Sequence, residues 1–208
     1  MSVMSLSTTM NASKVDAILN ARQINGFEAD GGTDKQTTHS YGPVYEALLE
    51  PFVDKQCTIL EVGVQLGGSM LLWHDLCPLA NVIGVDCQNL VHPSIFPRMT
   101  PSRTTFIIGD GYNENTIEFA KNIAKEGLDF IIDDGPHTLE TQCQFLQLYV
   151  PLLNEGGVAV IEDIQAYSWI EPLLGCVPEG AEAEVVDRRE IKGRYDDLML
   201  IIRRKAND

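Results

Sequence analysis

Basic side chains are scarce in this chain: 15 lysines and arginines stand against 30 aspartates and glutamates, a formal net charge of −15 over 208 residues. Such a surface repels phosphate backbones and anionic lipid unless a local basic patch overrides it, and the only dense basic groups are Arg188-Arg189 and Arg203-Arg204-Lys205. Nucleic acid is therefore not an expected partner. Long apolar runs are missing too. No window reaches the ~18 to 20 uninterrupted apolar residues of a membrane span. The first thirteen residues hold no Lys or Arg and no apolar core of signal-peptide length, so no membrane partner is expected. Cysteine is sparse and unpatterned: Cys57, Cys77, Cys87, Cys143 and Cys176 show no CxxC or metal-ligand spacing. Their odd number argues against a closed disulfide set and favours a reducing, cytoplasmic setting. Internal repeats and low-complexity tracts are absent.

What is present is an alternation of short β-branched runs with helical stretches, in a chain 44% hydrophobic and long enough for one domain with a substantial core. Residues 58–62, 82–86, 105–108, 130–133 and 158–161 read as strands whose near-continuous apolar character implies burial on both faces. Between them, Met70, Leu71, Trp73 and Leu76 form one helical stripe. Ile117, Ala120, Ile123 and Ala124 form a second, and Leu139, Cys143, Leu146 and Val150 a third. The pattern is that of an α/β domain with a mainly parallel sheet. Residues 91–102 carry Pro93, Pro97 and Pro101 and read as a loop where a helix would otherwise fall. Residues 184–186 and 198–202, joined by a charged segment containing Gly193, read as an antiparallel hairpin closing one sheet edge. The repeating pattern occupies residues 38–208. Residues 1–37 stand before it as an N-terminal segment, where Val15, Ile18 and Leu19 suggest one short amphipathic helix, a lid or a contact in a homo-oligomer.

Chemistry concentrates at the ends of strand-like runs. Residues 59–69 lead from a strand through Gly63, Gly67 and Gly68 to Ser69 and a helix start, a turn that lets a ligand approach the backbone and offers free amide donors. Asp86 ends the next run, close to the spacing at which such a carboxylate takes ribose hydroxyls. The turn is not GxGxxG, and Glu61 adds negative charge beside it, which favours a cationic ligand over a diphosphate. Further on, Asp133-Asp134-Gly135-Pro136-His137 and Glu162-Asp163 each follow an apolar run. Oxygen ligands of this kind suit Mg²⁺, and His137, three residues beyond Asp134, supplies a base beside them. The bland alternative for His137 is a cap on the helix starting near Thr138.

The succession E-x-G-x-x-x-G-G-S, V-I-G-V-D and I-I-G-D resembles the class I S-adenosylmethionine-dependent methyltransferases, over about residues 58–204. That resemblance implies a Rossmann-like seven-stranded, mainly parallel sheet with a C-terminal antiparallel hairpin. It also implies S-adenosylmethionine as cofactor, with the glycine turn (Gly63, Gly67, Ser69) under its methionine part, Asp86 on the ribose and Asp110 near the adenine. Tyr41, Glu61 and Asp133 complete the expected cofactor contacts. In the family the fourth and fifth strands are neighbours, which brings Asp134, Glu162 and Asp163 together around Mg²⁺ or Mn²⁺. Glu162 and Asp163 can both serve only if the chain leaves the strand there, since successive strand residues face opposite ways.

Within that family, D-D-G-P-H, Gln142 and Gln144 near Phe145, Gly156-Gly157, Glu162-Asp163, Gly32-Thr33-Asp34-Lys35 and His39-Ser40-Tyr41 resemble O-methyltransferases acting on sugars of macrolide antibiotics, the mycinamicin and macrocin types. Pro136 departs from that group's D-D-G-S-H. The resemblance implies a metal-dependent sugar O-methyltransferase with His137 as base and a glycan or glycosylated small molecule as substrate. Tyr167 and Trp169 are candidates to stack on a sugar face, and Tyr41 and Lys35 are candidates to close over the cofactor or substrate, although Lys35 reads equally well as a surface loop salt bridge. A catechol or phenolic O-methyltransferase is the alternative enzyme, though that type uses a lysine base. An inactive cofactor-binding scaffold is the alternative of another class.

Overall fold

Seven strands form one sheet in the order β3-β2-β1-β4-β5-β7-β6. The computed structural model describes residues 13–205, so residues 1–12, the first part of the N-terminal segment, lie outside the described residues. The strands are β1 (Thr58–Val62), β2 (Asn81–Asp86), β3 (Thr104–Ile108), β4 (Leu128–Asp133), β5 (Leu153–Ile161), β6 (Ala181–Asp187) and β7 (Leu198–Arg204). The first five pair in parallel, and β7 runs antiparallel to both β5 and β6, as the hairpin signal indicated. Among the described residues no helix is long and apolar enough to cross a membrane.

Strand alternation divides the core in two. Ile59, Phe130, Ile132, Val158 and Val160 face one layer, built from helices α1 (Lys14–Arg22), α2 (Gly42–Leu49) and α3 (Gly68–Leu76). Leu60, Ile131, Ala159 and Ile161 face the other layer, built from α4 (Glu114–Ile123), α5 (Leu139–Tyr149) and α6 (Ile170–Cys176). A short α7 (Arg189–Lys192) ends at Gly193 inside the hairpin connection. Of the stripe expected on α5, Leu146 and Val150 are in the core, but the buried face is shifted at its N-terminal end. Gln142, Phe145, Leu146 and Tyr149 are its buried residues, while Leu139 and Cys143 pack at the margin. Residues 91–102 form no α-helix, only short 3₁₀ turns at Phe96–Arg98 and Pro101–Arg103.

The segment before Thr38 packs into the first layer: Val15, Leu19 and Ile24 are fully buried with Leu71 and Trp73. Ser13 caps α1 by accepting a hydrogen bond from the Asp16 amide. The cysteines hold one correction. Cys143 on α5 and Cys176 on α6 form a disulfide with Cα atoms 5.5 Å apart, while Cys57, Cys77 and Cys87 are free. The odd count concealed a pair that only the packing of α5 against α6 brings together.

Candidate functional site

Register sets the site. Val62 pairs with Asp133, and Asp133 with Ile161, so Gly63, Asp134 and Glu162 stand one step beyond the paired ends of three adjacent strands. Hydrogen bonds continue across that step, from the Asp134 amide to the Val62 carbonyl at 2.8 Å and from the Glu162 amide to the Asp133 carbonyl at 3.1 Å. The end of a parallel sheet at such a point is where open α/β folds bind ligands. Here it borders a cleft of about 370 Å³ lined by Gly63, Ser69, Asp86, Asp110, Asp134, His137 and Asp163, among others.

The glycine turn forms one wall. Gly63 has φ +87°, and a Cβ built on it would lie 1.9 Å from the Asp134 carbonyl oxygen, so only glycine lets β1 and β4 end this close together. Asp86 Oδ2 accepts hydrogen bonds from the Val64 and Gln65 amides, both at 2.9 Å, and its Oδ1 accepts from the Gln88 amide. The carboxylate thus shapes the turn while keeping lone pairs for a ligand in the cleft. Asp110 Oδ1 accepts from the Tyr112 amide at 2.9 Å at the opposite wall.

Four expected cofactor contacts do not line the cleft. Glu61 shares strand parity with Ile59, which turns it under α3 instead of toward the strand end. There its Oε2 accepts from Ser69 Oγ at 2.6 Å and from Trp73 Nε1 at 3.1 Å. Burial pushes the Glu61 carboxyl up to about 7, against the pull of Lys35. Asp133 has the opposite parity and faces the α5 layer, where Tyr112 donates to its Oδ1 at 2.5 Å. Burial raises it to about 7 as well, with the tyrosine bond opposing. Gly67 caps α3 in the left-handed region, against Val91. Tyr41 is 1% exposed and donates to Asp163 Oδ1 at 2.6 Å, so it orients an acid of the site without facing the cleft.

The second carboxylate pair splits. β5 ends at Ile161, and Asp163 adopts φ +52°, so the chain does leave the strand where it had to. Asp163 turns toward the cleft, and burial first and Asp134 second push its carboxyl up to about 6. His39, stacked on Tyr41, lies 2.6 Å from Asp197 and 3.3 Å from Asp163. Burial alone would lower the His39 imidazole, but Asp34, Asp163 and Asp197 raise it to about 9, a cation behind the site. Glu162 keeps its strand direction and is buried. Its Oε1 accepts from Tyr45 Oη and its Oε2 from Lys35 Nζ, both at 2.5 Å. Among the described residues the donor atoms that gather within 4.8 Å of one another at the cleft come from Asp134, His137 and Asp163, while Glu162, expected as a ligand, stands apart with both oxygens bonded.

His137 Nε2 is 3.8 Å from both Asp134 Oδ1 and Asp163 Oδ2. It does not cap α5: Thr138 is the N-cap and closes a capping box with Thr141. Lys35, a candidate either to close over the ligand or to form a surface loop salt bridge, is 1% exposed and does not line the cleft. Burial alone would lower its ammonium, and Asp134, Glu162 and Glu61 together hold it well above the ordinary lysine range. Of the two aromatic candidates past the acidic pair, Trp169 packs on the second core layer, while Tyr167 is 57% exposed under the Arg189 guanidinium. Sequence reasoning missed Tyr45, His39 and Asp197 as parts of the site. The H-x-Y segment was the available signal for His39.

The methyltransferase domain family matches residues 60–164. A rhamnosyl tetracenomycin-C 2'-O-methyltransferase of Streptomyces olivaceus is 30% identical over 152 residues, covering 69% of this chain and 38% of that protein. The mycinamicin VI 2''-O-methyltransferase of Micromonospora griseorubida is 29% identical over 141 residues, covering 63% of this chain and 33% of that protein. The chain therefore spans well under half the length of these relatives. Among solved structures, the mycinamycin-pathway methyltransferase MycE in complex with Mg and SAH superposes with TM-score 0.63 at 19% identity, over 95% of this chain and 56% of that one. A Bacillus cereus O-methyltransferase in complex with SAH gives TM-score 0.64 at 15% identity, over 92% and 89%. At these identities the structural likeness speaks for the fold.

Proposed function

The chain belongs to the methyltransferase domain family, and from that premise we propose that it moves a methyl group from S-adenosylmethionine to a sugar hydroxyl of a glycan or glycosylated metabolite, with Mg²⁺ or Mn²⁺ held beside the acceptor. The observation that carries this reading is the gathering of Asp134, His137 and Asp163 within 4.8 Å, across one cleft from the glycine turn. The sugar O-methyltransferases among the relatives support the choice of acceptor.

Both groups fit the residues present. The cleft volume lies within the range of small-molecule sites, and Gly63 presents bare backbone where a Cβ would clash. Asp86 and Asp110 offer acceptors for the nucleoside part. The carboxylates of Asp134 and Asp163 would supply oxygen donors a hard divalent ion accepts, with the His137 imidazole beside them left free as a base. Bound there, the sulfonium supplies the methyl group and the ion makes the acceptor hydroxyl more acidic. The chain's own residues do the rest. Tyr41 and His39 fix the Asp163 carboxylate, Asp86 holds the turn, and His137 takes the hydroxyl proton on Nε2. Alignment of this kind contributes up to roughly 7 to 11 kcal/mol of barrier reduction.

Labelled S-adenosylmethionine offered with a panel of methyl glycosides and catechols tests the assignment. Glycosides should be methylated, with activity lost in EDTA and restored by Mg²⁺ or Mn²⁺ but poorly by Zn²⁺. Full activity in EDTA would remove the ion from the mechanism, and methylation confined to catechols would overturn the sugar assignment. Calorimetry tests the cofactor: S-adenosylhomocysteine should bind without competition from NAD. Asp86→Ala should weaken that binding about tenfold or more, since it removes charge-assisted acceptors and unpins the turn together.

A further inference from the structure

Lys35 has no part in the chemistry proposed above, yet its ammonium sits inside the acidic cluster. Nζ lies 2.5 Å from Glu162 Oε2, 2.7 Å from Asp134 Oδ2 and 3.4 Å from Glu61 Oε1, with the rings of Tyr45 and Trp73 at 6.0 and 5.9 Å. Three carboxylates with aromatic faces behind them make a cation site, and a cation on a tether fills it. The competition this creates is specific. Glu162 has one oxygen on Tyr45 and the other on Lys35, and Asp134 has Oδ2 on Lys35, which leaves Oδ1 toward His137. A lysine ammonium carries three donors and no lone pair, so Lys35 cannot itself join an ion's ligands.

Resting on the ion proposed above, we propose that Lys35 is a positioning residue, a tethered counter-cation with two effects. It withholds Glu162 and Asp134 Oδ2 from the divalent ion, for which Asp134 Oδ1 and Asp163 Oδ2 remain, with His137 Nε2 kept for the proton. It also keeps the buried carboxylates together when no ion is bound, so that folding does not depend on metal. A positive charge beside Asp134 lowers the attraction of the site for a divalent ion. The ion is then held loosely enough to enter and leave with the acceptor.

Mn²⁺ titration of the whole chain, followed by the electron paramagnetic resonance of the free ion and without acceptor, tests this directly. Lys35→Met should bind Mn²⁺ about tenfold or more tightly than the wild type, because Glu162 and Asp134 Oδ2 are released and a positive charge is gone. Its melting temperature should fall in EDTA and recover with Mn²⁺, while the wild type should melt at nearly the same temperature in either. Glu162→Gln should change Mn²⁺ affinity less than Asp163→Asn does. Should Lys35→Met fail to fold, the pair Lys35→Met/Glu61→Gln removes the ammonium with one buried carboxylate and should still bind Mn²⁺ more tightly. Affinity unchanged or weakened in the Lys35 variants overturns the proposal, as does a wild type that unfolds when metal is stripped, or absence of Mn²⁺ binding in every protein. Failure of glycoside methylation alongside tighter Mn²⁺ binding in Lys35→Met would sink the sugar reading and leave this one standing.

Discussion

Replacing His137 by alanine is expected to lower kcat by roughly 10² to 10⁴, the range for a lost general base, with the fold and S-adenosylhomocysteine affinity retained. The geometry gives the side chain no structural duty to lose. Its Nε2 stands 3.8 Å from two carboxylates, beyond hydrogen-bond reach, and its buried Nδ1 has no partner. The helix that follows is capped by Thr138. The backbone at His137 has φ +53°, a conformation that costs a non-glycine residue about 1 kcal/mol or more. Strain without a compensating bond points to function. His137→Gly should therefore melt no lower than His137→Ala, while losing turnover equally.

Two further measurements separate the roles open to the imidazole. If it moves the proton, added imidazole should restore part of the turnover of the alanine variant, and Mn²⁺ affinity should change little. If it serves only as a ligand, affinity should fall and high Mn²⁺ should restore the rate. Near wild-type turnover at saturating acceptor would assign the proton to another group.

Residues in runs were legible in the sequence, and residues facing sideways from those runs were not. The five parallel strands announced themselves by continuous β-branched stretches, because a sheet covered on both faces leaves no polar position to blur the pattern. Asp134 and His137 were legible because they follow such a run directly. Glu61 and Asp133 were misplaced for one reason: each is the next-to-last or last residue of its strand, where alternation decides between core and cleft. Counting from Ile59 would have put Glu61 under α3. Lys35 was harder. A buried lysine is rare enough that a surface reading is the sound default, and its partners Asp134 and Glu162 lie 99 and 127 residues away, which no local pattern encodes. A separation of 117 residues likewise hid Tyr45, on the buried face of α2, from its partner Glu162.

Gly63→Ala should destroy both halves of the site at once. A Cβ there would lie 1.9 Å from the carbonyl oxygen of Asp134, 2.5 Å from its carbonyl carbon and 2.9 Å from the Gly135 nitrogen, all of them backbone atoms that cannot swing aside as a side chain would. The strands cannot part either, because the Asp134 amide is bonded to the Val62 carbonyl at 2.8 Å on the same edge. With φ +87° adding left-handed strain, the expected cost is on the order of 4 to 5 kcal/mol, at the upper end of what single substitutions do. Any protein that still folds must have moved the end of β4 away from the end of β1. Asp134 would then shift with the turn, so S-adenosylhomocysteine and Mn²⁺ affinity should fall in parallel, whereas Asp86→Ala should weaken only the first. Gly175→Ala on α6 is the control, since its added Cβ meets nothing within 4 Å and a helical Gly→Ala change gains about 0.5 to 1 kcal/mol. A Gly63→Ala protein that melts within about 2 °C of wild type and binds both ligands normally would show that the turn and the β4 end do not approach as closely as the structure has them.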